Sequence, residues 1–311
     1  MAILFLSEAD KTGEWAGALA RELPDDEVLI GPEAGLARAA DIDFAVVWYP
    51  PPGLCAKLPA LRAVLSLGAG VDHALLDPDL PRHVPLVRLI DPALTEQMAE
   101  WVVMNVLRHH RLMPAYAEQQ ARAYWKRHDI PRASARRVGI MGLGELGRAA
   151  AKALAPFGFP LAAWVTKSRK WELGEIFAGP DSLGTFFAHS DIVVCLLPLT
   201  SATRGILSAD AFARMPRGAA IINGARGGHV VAADLIAALD RGQISAATLD
   251  VFEREPLPAD DPLWRHPRIT ITPHAAAITL AETAAREIAS NIRRLRRGEA
   301  MVGIVSRDRE Y

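Results

Sequence analysis

Cysteine is scarce: Cys55 and Cys195 are the only two in 311 residues. They form no metal-ligand spacing and no disulfide framework, which argues against a cysteine-stapled secreted scaffold and for a reducing compartment. Excess charge is missing too, since 35 Lys and Arg face 36 Asp and Glu for a formal net charge of −1. That balance offers a polyanion no electrostatic footprint, so no nucleic-acid partner is expected. The local cluster Arg293, Arg294, Arg296 and Arg297 precedes Gly298 and reads as the cation-rich, glycine-capped end of a helix. No apolar run is long enough to cross a bilayer, so no membrane partner is expected. The apolar stretch at residues 1–6 is too short for a signal h-region and lacks a basic lead. A cytoplasmic protein is the expectation. Solenoid repeats and low-complexity linkers are absent as well.

What is present is alternation. The chain is half hydrophobic and 23% charged, an ordinary globular composition, and its 311 residues exceed one typical core. Apolar runs at 2–6, 44–48 and 63–67 read as strands, and 12–23 reads as a helix. Pro50, Pro51, Pro52 and Gly53 break the chain just after Trp48. A long helical pattern follows over 95–126, with Met98, Val102, Val106 and Met113 on its apolar face. From about residue 137 a second unit shows strands at 138–141, 161–165, 192–197, 219–222, 246–251 and 269–271, with a helix over 145–157. Strands apolar on both faces and separated by helices predict a parallel sheet covered on both sides. The last helical pattern, 280–297, follows the completed sheet and is expected to return to the first domain.

The segment Gly142-Leu143-Gly144-Glu145-Leu146-Gly147 sets G-x-G-x-x-G directly after a strand and at the opening of a helix. Gly142 permits the tight turn, Gly144 lets a pyrophosphate approach the backbone, and Gly147 lets helix and strand pack closely. The helix start adds unpaired N–H groups and a positive dipole end. The glycines alone are a weak signal; the strand–helix–strand context makes it a dinucleotide site. An NAD site places Asp or Glu at the end of the second strand, for the ribose 2′-hydroxyl. This chain has Thr166, Lys167, Ser168, Arg169 and Lys170 there, which suits a 2′-phosphate, the alternative being a solvated basic loop. NADPH is therefore the expected cofactor, with NADH as the alternative.

Reducing a 2-keto acid demands an anchored carboxylate, a polarised carbonyl and a proton delivered to oxygen as hydride reaches carbon. Arginine grips carboxylates with a planar fork, and histidine beside a carboxylate supplies the proton near neutral pH. Arg226, Glu255 and His274 each follow a predicted strand, where open α/β sheets bind ligands. Residue type alone does not select them among nine histidines and many arginines. Taken singly, His274 reads as a loop histidine, and Arg226 and Glu255 read as surface charges.

The ordered set of segments decides the matter. The glycine turn, Ser190-Asp191-Ile192-Val193, Leu196-Leu197-Pro198-Leu199-Thr200, and the blocks around Arg226, Glu255 and His274 resemble the D-isomer-specific 2-hydroxyacid dehydrogenase family. Val47-Trp48-Tyr49-Pro50-Pro51, Leu67-Gly68-Ala69-Gly70-Val71-Asp72 and the basic tip most resemble its glyoxylate/hydroxypyruvate reductase A group. The resemblance implies two doubly wound α/β domains with parallel sheets and an active-site cleft between them. A flavodoxin-like substrate domain would take residues 1–101 and 281–311, and a Rossmann cofactor domain 102–280. It further implies that Arg226 holds the substrate, His274 donates the proton and Glu255 pairs with His274. Cofactor contacts are implied at Leu197, Pro198, Ala225, Asp250 and His274, with Asp250 on the nicotinamide side. Backbone N–H groups near Ala69 and Gly70 would bind the carboxylate. Trp48 would wall the pocket, or it is a strand-end core aromatic. The family is commonly dimeric, so a homodimer acting on a small 2-keto or 2-hydroxy acid is implied.

Two other readings compete. Formate or phosphite oxidation is one; formate oxidation makes no alkoxide and needs no proton donor, so a Glu255–His274 pair speaks for carbonyl chemistry over formate. The second is a nucleotide-sensing binding protein like the corepressors that resemble these dehydrogenases, working through partner contacts.

Overall fold

A computed structural model of the protein describes residues 2–7 and 13–311. Residue 12, the first of the helix predicted over 12–23, lies outside them, as does Met1. The chain divides into two compact units, Met1–Leu94 with Ile278–Tyr311, and Thr95–Ala277. Among the described residues no helix is long and apolar enough to cross a membrane.

Among its described residues the first unit holds five strands: β1 (Ala2–Ser7), β2 (Glu27–Ile30), β3 (Ile42–Trp48), β4 (Ala63–Ser66) and β5 (Leu86–Val87). Adjacent strands pair in parallel, in the order β2-β1-β3-β4-β5, which is the flavodoxin-like arrangement. Central β1 and β3 are apolar on both faces because helices cover both. The helix Ala281–Arg296 closes one of those faces. It buries Ala281, Ala284, Ala285, Ile288, Ala289 and Ile292 among Ile3, Phe5, Phe44 and Leu65. Its alanines let the backbone lie close to the sheet, and each buried isoleucine contributes roughly 1.5–3 kcal/mol. The cations at its end have local partners. Arg296 holds Asp26 in two bonds of 2.8 and 2.6 Å and lies over the Phe44 ring, while Arg297 pairs with Glu299. Gly298, with φ of 74°, ends the helix.

The second unit contains seven strands: β6 (Val138–Met141), β7 (Leu161–Val165), β8 (Gly174–Ala178), β9 (Ile192–Cys195), β10 (Ala219–Asn223), β11 (Ile244–Leu249) and β12 (Ile269–Ile271). Their order is β12-β11-β10-β9-β6-β7-β8, and every pair is parallel. The chain reverses its direction of travel between β6 and β9, so the crevice at the carboxyl ends of those strands is the topological switch point. The helix Pro92–His110 buries Met98, Trp101, Val102 and Val106 against Val138, Ile140 and Ile222.

The helix expected over 95–126 is interrupted. It stops at His110, Leu112 takes a left-handed φ of 57°, and a second helix, Met113–Ala121, carries Pro114 in its first turn. Proline has no N–H to donate to the carbonyl four residues back and its ring crowds that carbonyl, so the apolar pattern runs on through a break in the hydrogen bonding. Several short elements, among them β2, β5 and β8, were not expected from the pattern.

His109 is buried at the end of the first of these helices, with Nε2 2.9 Å from the Thr248 hydroxyl of β11. Burial, reinforced by the charges of Arg108 and Arg136, pushes its pKa down to about 3. The stability that depends on the neutral ring is complete above the ordinary value of 6.5 and drains away as pH falls towards about 3, because the unfolded chain takes the proton first. Denaturant titrations from pH 7 to 4 should therefore show falling stability, with a shallower fall in His109→Gln. Equal slopes in the two proteins would remove His109 as the cause.

Candidate active site

Parallel strands deliver their following loops to one edge of the sheet, and β10, β11 and β12 are neighbours. Arg226 follows β10, Asp250 and Glu255 follow β11, and His274 follows β12. The 226–228 turn also packs directly on the next loop, since a Cβ on Gly227 would collide with the Phe252 and Glu253 backbone.

His274 Nδ1 lies 2.6 Å from Glu255 Oε2. The other Glu255 oxygen accepts the Phe252 N–H at 2.9 Å. Burial opposes ionisation of Glu255, but the His274 bond, the Phe252 N–H and the charges of His274 and Arg226 together hold its carboxyl below the usual range. With Nδ1 engaged, Nε2 is the ring nitrogen left to meet a ligand, and the side chain is 40% exposed.

The backbone beneath this pair is shaped by Asp250, whose residue is only 1% exposed. One carboxylate oxygen accepts the Thr272 hydroxyl at 2.5 Å and the Ala275 N–H at 2.8 Å; the other accepts the Ala276 N–H at 3.0 Å. The Asp250 carbonyl accepts the His274 N–H at 2.8 Å. His274 thus keeps a φ of 53°, a conformation costing an L-residue about 1–2 kcal/mol, with the loop around it bonded on both sides. The family resemblance implies a place for Asp250 on the nicotinamide side; within the chain its carboxylate is bonded to the 272–276 loop. Asn223 plays a similar part behind Arg226, accepting the Ala225 N–H at 3.1 Å and donating to the Arg226 carbonyl at 2.9 Å. Neither Asn223 nor Thr272 was singled out from the sequence. The available signal was a polar residue closing an otherwise apolar strand run.

The glycine turn lies in the same unit. Gly142 has a φ of 96°, and a Cβ on Gly147 would collide with the Gly142 carbonyl, so the helix Glu145–Leu154 starts hard against the turn. Gly144 caps that helix without a side-chain partner, and the space its Cβ would take is open to 4 Å. Leu197 lies against Gly142, 3.3 Å from the position of its missing Cβ. Thr166, Lys167, Ser168, Arg169 and Lys170 are all exposed at the end of β7. Arg169 reaches back to the Leu143 carbonyl at 3.0 Å, joining the basic loop to the glycine turn. Open backbone at a helix start beside exposed cations fits a dinucleotide phosphate.

In the first unit, Trp48 ends β3 and the 68–70 loop follows β4. The indole lies across the loop, 2.5 Å from where a Gly68 Cβ would stand, with its ring centroid 4.4 Å from His73 and 5.3 Å from Tyr49.

The profile of the D-isomer specific 2-hydroxyacid dehydrogenase NAD binding domain matches residues 103–276. The chain belongs to that family. A protein from Klebsiella pneumoniae named glyoxylate/hydroxypyruvate reductase A is 42% identical over the full length of both chains. The crystal structure of a D-isomer specific 2-hydroxyacid dehydrogenase from Xanthobacter autotrophicus Py2, in complex with NADPH and MES, is 43% identical. It has a TM-score of 0.94 over 100% of this chain and 99% of that one. An NADPH-dependent glyoxylate/hydroxypyruvate reductase from Sinorhizobium meliloti, in complex with NADP and sulfate, is 38% identical with a TM-score of 0.92 over 100% of both. This chain is thus an NAD(P)-dependent dehydrogenase of the reductase A group.

Proposed function

We propose that this dehydrogenase reduces small 2-keto acids, such as glyoxylate and hydroxypyruvate, with NADPH as the preferred reductant. The observation that carries the reading is the 2.6 Å bond from His274 Nδ1 to Glu255, which leaves Nε2 to serve as proton donor. Carbonyl reduction needs a proton at the oxygen; formate oxidation has no such need. The names and bound nucleotides of the relatives support the same reading.

The residues of the chain divide the work. Gly142, Leu143, Gly144, Glu145, Leu146 and Gly147 hold the pyrophosphate at the helix start. Thr166, Lys167, Ser168 and Arg169 take the 2′-phosphate, and Leu197, Pro198 and Ala225 line the cofactor. The reduced nicotinamide, once bound, supplies the hydride. Arg226 grips the substrate carboxylate and polarises its carbonyl. Ala69 and Gly70 offer backbone N–H groups to the carboxylate, and Trp48 bounds the pocket. Glu255 orients His274 and favours its charged form, and His274 Nε2 delivers the proton to the forming alkoxide. Asp250 holds the loop that carries His274. Charge growing on the oxygen is met by Arg226 and His274 more strongly in the transition state than in the ground state. We further propose a homodimer, supported by the exposed Tyr124 and Trp125, at 58% and 99%.

Three measurements test this. Initial rates with glyoxylate and hydroxypyruvate should favour NADPH over NADH, and Arg169→Glu should cut that preference by roughly 10-fold or more. A wild-type preference for NADH would remove the phosphate role of the basic loop. His274→Ala should lower kcat roughly 100- to 1000-fold, and near-normal turnover would remove His274 from the mechanism. Light scattering should give twice the 33.7 kDa chain mass, whereas the single-chain mass would exclude the dimer.

A further inference from the structure

Behind Arg226 lies a histidine that the mechanism leaves unused. His229 is completely buried in the short turn Gly227–His229 that follows β10. Its Nδ1 lies 3.0 Å from the Arg226 carbonyl and its Nε2 lies 3.2 Å from the Pro198 carbonyl. Main-chain carbonyls only accept, whereas a neutral imidazole has one N–H and one lone pair. A neutral ring would leave a lone pair facing a carbonyl oxygen in a site closed to water. An imidazolium donates to both.

We infer that His229 is a positioning residue, held as an imidazolium, that ties the Arg226 and Pro198 main chains together beneath the site. The inference rests on the proposed roles of Arg226 and Pro198 in binding substrate and cofactor. Each carbonyl has a further donor: Asn223 Nδ2 reaches Arg226 at 2.9 Å, and the Thr203 hydroxyl reaches Pro198 at 2.7 Å. The ring therefore closes a buried network that spans the loops after β9 and β10. Burial works against its charge, but the Cys195 side chain and the Pro198 and Arg226 carbonyls act the other way, and the ring is held above the ordinary histidine value. The titratable and charged groups around the turn are Cys195 at the end of β9, Arg226, and the Arg204–Glu253 pair, 3.4 Å apart, beside Gly228. A substrate anchor displaced by about 1 Å loses roughly 100-fold in rate, so the clamp bears directly on turnover.

The test begins with nitrogen-15 NMR of the full-length, histidine-labelled protein, with and without NADPH. At neutral pH a histidine other than His274 should show both ring nitrogens protonated, and that signal should vanish in His229→Gln. A neutral His229 ring overturns the inference. Steady-state rates with NADPH and glyoxylate supply the second measurement. His229→Leu should lose roughly 100-fold in kcat/KM, while His229→Gln, which still donates to one carbonyl, should recover roughly 10-fold of it. Wild-type kcat/KM in His229→Leu also overturns the inference; should that variant not fold, the ring signal and His229→Gln decide. The ring signal needs no turnover, so a wild-type protein inactive on keto acids would count against the proposed substrate alone.

Discussion

Parallel pairing is the constraint on which the candidate site depends. Because all seven strands of the larger sheet run the same way, the glycine turn, the basic loop, Arg226, Glu255 and His274 emerge at one edge. A parallel sheet needs long crossovers, and the helices that supply them seal its two faces. The edge is then where polar groups can gather without breaking the core.

Gathering is not the same as aiming. The loops are aimed by polar groups that are themselves out of water: the Asp250 carboxylate behind His274, and the Asn223 amide behind Arg226. A buried carboxylate is costly unless donors meet it, and three donors in one loop leave that loop few alternative shapes. Preorganisation here is a consequence of satisfying a desolvated charge.

The sequence was most legible where one physical rule acts alone. Strands such as Val138–Met141 and Leu161–Val165 are unbroken apolar runs and lie where the pattern predicted them. The glycine turn was legible because close packing forbids a Cβ at Gly147. Periodicity misled at 95–126, since it reports which face is buried and says nothing of whether Pro114 leaves the helix intact. Strand β8 escaped notice because its pattern is weak, exposed at its start and buried mainly at Phe177. Arg226, Glu255 and His274 were picked out by family resemblance; residue chemistry alone left them among many equals. Their supporting partners, Asn223 and Thr272, belong to geometry, because a side chain that bonds across loops leaves no periodic trace.

The connection between β7 and β8 contains no helix; residues 166–173 must do a helix's work. Its first half is the exposed basic stretch, while Trp171 in its second half packs against the buried trio Leu143, Ala163 and Val165. One short loop therefore serves as both the proposed 2′-phosphate surface and the roof of the sheet. Under the proposed role of its basic half, cofactor choice and core integrity are coupled through it, and any graft that exchanges the charged half is free only so long as the tryptophan keeps its place.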